Sequence, residues 1–127
     1  MDWVFRSDLP LYSQLVEKIK LAIISGRLPP GARLNSVRDL ATEAGVNPNT
    51  MQRALQELER EGLVYSQRTA GRFVTENDEA IDSAKRRLAG EKLKGFLAAM
   101  GELGYDRAGL IALLQEGEER NYGDTGV

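Results

Sequence analysis

The segment Asn47-Pro48-Asn49-Thr50-Met51-Gln52-Arg53 gathers five polar side chains around a single inward residue, Met51. Amides can make paired hydrogen bonds to adenine, a guanidinium reads guanine, and small polar groups bind phosphate. A helix N-terminus placed there would add free N–H groups and a favourable dipole for anions. The bland alternative is a capped, solvated helix start, a role Asn47 fills by itself. Arg38 is a second candidate: it could reach a phosphate or a base edge, or simply pair with Asp39 or Glu43. The third group is Arg68, Thr69, Gly71 and Arg72, two arginines around a small-residue turn. Such a tip suits insertion beside a nucleic-acid groove, with arginine on phosphate or in the minor groove.

Other chemistries lack their residues. The 127-residue chain has no cysteine and no histidine, which excludes thiol nucleophiles, disulfides and imidazole bases and removes the usual zinc and copper ligands. Ser13, Ser25 and Ser36 have no S-x-x-K partner, and GRLPPG lacks the lysine of a phosphate loop and follows no strand. Glu57, Glu59 and Glu61 alternate around Arg60 and read as a solvated helix face. No catalytic set, metal site or cofactor is expected.

The net charge of −2 conceals an asymmetry. Through Thr75 there are ten Lys/Arg against eight Asp/Glu; from Glu76 onward there are seven against eleven. Any nucleic-acid surface must therefore be local, and residues 62–75 hold two arginines and no acid. Apolar runs fall far short of the roughly 20 residues of a membrane helix. The start MDWVFRSDLPLYSQ lacks a basic patch followed by an apolar core, so a cytoplasmic protein is expected.

Five helices and a hairpin must position these residues. Leu11, Leu15, Ile19 and Ile23 recur at helical spacing between Pro10 and Gly26. Ser36 begins a short second helix with Val37, Leu40, Ala41 and Ala44 inward, broken at Gly45. Asn47 as cap and Pro48 as first residue open a third helix whose stripe is Met51, Ala54, Leu55 and Leu58. Two helices around a Gly-containing turn make a helix-turn-helix. Leu63–Ser66 and Arg72–Thr75 then read as a hairpin. The expected fold is mainly α with a small β-hairpin: a winged helix-turn-helix over residues 1–75, with Leu34, Val46, Val64 and Phe73 completing its core. Residues 76–127 read as a short two-helix tail. Its first helix, of roughly twenty-five residues, carries Ile81, Ala84, Leu88, Phe96, Leu97, Met100 and Leu103, with Gly90 and Gly95 weakening its middle. The second begins at Asp106 and carries Leu110, Ile111, Leu113 and Leu114. Gly117 to Val127 is expected to fray. Such stripes need a second surface, and a homodimer supplies one.

Residues 10–74 resemble the DNA-binding domain of the GntR family of bacterial transcriptional regulators. P-L-Y-x-Q, I-x-S-G-x-L-x-P-G, S-V-R-x-L-A, V-N-P-N-T and E-x-E-G-L occur in that order, and the short tail is similar to that of the YtrA-like subfamily. The resemblance implies DNA contacts by Arg38, by the polar start of the third helix with Arg53, and by the wing around Arg68 and Gly71. It also implies dimerisation through the tail. Asn35 stands where the family usually has Pro, and Thr69 where it usually has Gly. A left-handed Thr69 would be costly, so Gly71 is expected to carry the turn.

These readings converge on a homodimeric repressor that binds a pseudo-palindromic operator, one third helix per major groove. The rival is a winged-helix protein-interaction module without sequence-specific DNA binding. The tail looks too short to enclose a ligand pocket of some 300 Å³, and no effector is readable.

Overall fold

Pro10 stands just outside the first helix as its N-cap, with φ −57° and an extended ψ of 130°, and helical geometry begins one residue later at Leu11. A computed structural model describes residues 1–123, with side chains through Gly117. The element order is α1 Leu11–Ile24, α2 Val37–Ala44, α3 Pro48–Arg60, β1 Val64–Gln67, β2 Gly71–Val74, α4 Asp78–Glu102 and α5 Arg107–Gly123. No helix among the described residues is long and apolar enough to cross a membrane. The chain divides into two compact units, Met1–Arg86 and Arg87–Val127.

In the first unit α2 and α3 each start at a side-chain cap, whereas α1 starts without one. The Ser36 hydroxyl accepts from Asp39 N–H at 3.1 Å, and the Asn47 side chain accepts from Asn49 N–H at 2.7 Å. Between these helices Gly45 takes φ 71°, the left-handed turn that lets α3 depart. Leu15, Met51, Ala54, Leu55, Leu58, Leu63 and Val74 are fully buried, with Ile19, Ile23, Ala41 and Val64 nearly so. α1 and α3 thus pack stripe against stripe, and α2 closes one side with Leu40 and Ala44.

The hairpin is shifted one residue from expectation. Val64 pairs with Val74, Tyr65 with Phe73 and Gln67 with Gly71. Side chains alternate across a strand, so this register sends Val64 and Val74 inward and Tyr65 and Phe73 outward. Phe73, expected in the core, is instead half-buried and stacked on Tyr65 with ring centroids 5.6 Å apart. Leu11 is likewise outside the core: it opens α1 and is exposed. Val37 and Val46 are partly buried at the core's edge. Sequence periodicity did not locate Trp3 and Phe5, which lie ahead of the first helix yet pack against the core. Nor did it assign Ile81 and Ala84 to the head, although both join that same cluster and carry the first unit to Arg86.

In the second unit Gly104, at φ 94°, ends α4, and Asp106 caps α5 by accepting from Gly109 N–H at 2.8 Å. Leu110 is buried, whereas Leu93, Phe96, Leu97, Leu103, Ile111 and Leu114 are exposed. Leu93, Leu97, Met100, Tyr105, Leu110, Ile111 and Leu114 line an open groove of about 450 Å³. The tail therefore does shape a sizeable concavity, but an open one. α5 runs to Gly123 where fraying was expected from Gly117, and residues 124–127 and the side chains of 118–123 lie outside the described residues.

The core separates two kinds of loss. Leu55→Ala leaves a cavity among fully buried neighbours and should cost about 2–5 kcal/mol. Gly45→Ala meets nothing within 4 Å, so it should cost only the left-handed strain, about 1–2 kcal/mol. Urea unfolding of both variants measures the difference.

Candidate nucleic-acid interface

α3 presents its polar groups because its other face is committed. With Met51, Ala54, Leu55 and Leu58 inward, the helical repeat leaves Asn49, Gln52, Arg53 and Gln56 at i, i+3, i+4 and i+7 along the outer face. Asn49, Arg53 and Gln56 are exposed, and Gln52 and Thr50 are half-buried. Asn47 is exposed but spends its side-chain oxygen on the cap. Gln56 was missed from sequence, although the i+7 spacing from Asn49 signals it.

Arg53 does not stand free. Its guanidinium lies over the Tyr12 ring, Cζ to centroid 4.7 Å, so the first turn of α1 holds it by cation–π attraction. Arg38 is exposed on α2 and makes no ion pair among the described residues, with neither Asp39 nor Glu43 taking it.

The wing is fastened to α3 by one carboxylate. Glu59 Oε1 accepts from Arg72 Nε at 2.6 Å and from the Ser66 hydroxyl at 2.6 Å. Register explains this: Ser66 pairs with Arg72, and both face α3, as Val64 and Val74 do. Arg72 is therefore turned inward, its side chain only 19% exposed. The glutamates expected on a solvated face all have partners, for Glu57 pairs with Arg60 and Glu61 accepts Lys20 at 2.8 Å. Burial pushes the Glu59 carboxyl up, but the Ser66 and Arg72 hydrogen bonds and the Arg72 charge outweigh it and hold the group below its ordinary value.

At the wing tip Arg68 and Thr69 are exposed and Arg68 makes no ion pair among the described residues. The Thr69 N–H donates to the Gln67 carbonyl at 3.0 Å, and so does Ala70 N–H at 3.1 Å. Thr69 avoids the left-handed region, and Gly71 carries the positive φ, 105°. The Thr69 amide is thus used by the turn itself.

Comparison with known proteins decides the class of this arrangement. The model of the gntR family of bacterial regulatory proteins matches residues 11–74. The chain belongs to this family. It is 40% identical over 111 residues to the HTH-type transcriptional regulator YhcF of Bacillus subtilis, covering 87% of this chain and 92% of that one. It is 39% identical over 93 residues to the HTH-type transcriptional repressor YtrA of the same organism, covering 72% of each. A GntR family transcriptional regulator from Listeria monocytogenes superimposes with a TM-score of 0.81 at 35% identity, covering 88% of this chain and 98% of that one. The tail is thus included in the likeness, and the YtrA-like subfamily is the right place for the chain. The gntR head is a DNA-binding winged helix, and the chain is a transcriptional regulator.

The Glu59 clamp has a pH signature. Because its folded value is lowered, its stabilisation is complete above the ordinary carboxylate range and is lost as pH falls through that lowered value. Glu59→Gln should be less stable than the parent at neutral pH and should show a flatter acid limb. Urea midpoints from neutrality down to about pH 3 test this.

Proposed function

We propose that this gntR-family regulator is a repressor that binds a pseudo-palindromic operator as a homodimer in the cytoplasm. The observation that carries the reading is the outer stripe of α3, polar from Asn49 to Gln56 on a helix whose other face is fully buried. Such a helix is rigidly oriented and presents amides and a guanidinium to a major groove. Asn49, Gln52 and Gln56 read base edges, while Arg53, drawn back onto Tyr12, serves the flanking backbone. Arg38 and Arg68 take phosphates on either side, and Asn47 and Thr50 complete the helix start. Thr69 and Gly71 shape the wing turn, and Arg72 is withdrawn from the contact set by Glu59. Similarity to the YtrA repressor favours repression. A protein-interaction module would want aromatic or aliphatic anchors on α3, and its outer stripe has none.

The tail supports the dimer. Residues 89–99 of α4 are exposed throughout, with Leu93 55% and Leu97 46% exposed, and Leu114 on α5 is 58% exposed in a single chain. A second copy laid into the groove between α4 and α5 covers these side chains, and two-fold protein symmetry then requires two-fold operator symmetry.

Binding to the DNA upstream of its own gene, against a scrambled duplex, tests the reading. The chain should select the upstream duplex at moderate salt, and equal binding to both would sink it. Leu97→Lys combined with Leu114→Lys should give a monomer in sedimentation. Its affinity for the full operator should fall by on the order of 10²–10⁴ as linked half-sites are lost. Arg53→Ala should weaken both duplexes alike, whereas Gln52→Ala should weaken the selected one most.

A further inference from the structure

The two-stranded wing is bridged on its β2 edge by a short extended segment, and with it comes a cation absent from the sequence motifs. The segment between α1 and α2 runs antiparallel to β2. Gly31 N–H donates to the Val74 carbonyl, Val74 N–H to Ala32 and Leu34 N–H to Arg72, each at 2.9 Å. This sets Arg33 opposite Phe73. Alternation then puts the Arg33 side chain on the outer face with Phe73 and Tyr65, the face opposite Arg72. From there it runs toward the hairpin tip. A Cβ added at Gly71 would lie 3.3 Å from Arg33 Nε and 3.6 Å from its Nη2. Gly71 therefore takes a backbone conformation costly for other residues, and the Arg33 guanidinium rests in contact range of it.

Arg33 is exposed and makes no ion pair among the described residues. One residue away in the sheet, Arg72 is half-buried and bound to Glu59. Sequence spacing places Arg68 and Arg72 at the wing tip; the side-chain directions exchange the second for Arg33. We propose that Arg33 is the wing's second DNA-backbone cation, its guanidinium held at the tip beside Gly71 to take a phosphate alongside Arg68. Arg72 instead positions the wing against α3. A planar guanidinium suits this place, since it lies flat along a strand and offers a fork of donors to phosphate oxygens. This inference rests on the head binding DNA through its wing.

Salt dependence separates a phosphate contact from a structural role, because each neutralised phosphate contributes about 0.9 to the slope of log affinity against log salt. Isotherms on the upstream and scrambled duplexes should be measured over a range of salt for the full chain, Arg33→Gln, Arg33→Lys and Arg72→Gln. Arg33→Gln should weaken both duplexes and make the slope shallower by about one unit per bound head, about two for a dimer on a full site. Arg33→Lys should restore most of the slope. Arg72→Gln should lower the urea midpoint while leaving the slope unchanged. If the parent binds and Arg33→Gln keeps its slope, the assignment of Arg33 falls while the repressor reading stands. A shallower slope for Arg72→Gln would return that residue to the DNA surface and overturn the exchange. Absence of salt-dependent binding by the parent would overturn both readings.

Discussion

Everything the head can do depends on the burial of one stripe of α3 against one stripe of α1. Met51, Ala54, Leu55 and Leu58 are fully buried, as is Leu15 opposite them. Burying each large side chain is worth about 1.5–3 kcal/mol, which greatly exceeds any single polar contact on the outer face. Rotating α3 by one residue, about 100°, would expose part of this stripe, so the angle at which Asn49 and Gln52 face outward is set from within. The Lys20–Glu61 pair, with both side chains under 20% exposed, then fixes the far end of α3 against α1. Orientation is thus decided by apolar packing, and the polar surface inherits it.

Glu59 transmits that orientation to the wing. A two-stranded hairpin is marginal by itself. The segment 31–34 is hydrogen-bonded to β2, while Val64 and Val74 alone would leave the hairpin's angle to α3 loosely set. By accepting from both Ser66 and Arg72, one carboxylate ties adjacent strands to the helix that carries the reading surface. Breaking such a part-buried pair leaves a charge without its partner, a larger loss than an exposed pair like Arg6–Asp8 would cause. The wing and α3 are therefore joined as one piece.

The helices were legible in the sequence because their signals are local. Asn47-Pro48 is a cap followed by a first residue, and Ser36, Gly45 and Asp106 mark ends by chemistry that acts within four residues. Strand register was not legible: a one-residue slip exchanges faces, and Phe73 is as plausible an inward residue as Val74 from hydrophobicity alone. The pairing of Arg33 with Phe73 joins segments forty residues apart and has no local signature. For the same reason Arg72 looked like a surface arginine, since only the folded register reveals Glu59 beside it. The wing turn was half legible: Gly71 was the expected left-handed residue, but use of the Thr69 amide inside the turn required the hydrogen bonds themselves.

The tail obeys a different balance from the head. Gly90, Gly95 and Gly101 lie within α4, and a Cβ at any of them would meet nothing within 4 Å. Nothing in one chain therefore demands glycine there, and each weakens the helix by roughly 1 kcal/mol relative to alanine. Exposed leucines on the same stretch add no compensating burial in a single copy. In the proposed dimer those leucines are covered, and their burial offsets the helix cost. Folding of the middle of α4 and pairing of two chains then become one equilibrium, which depends on protein concentration. A regulator built this way keeps a head that folds on its own apolar core and a tail whose order is completed by its partner.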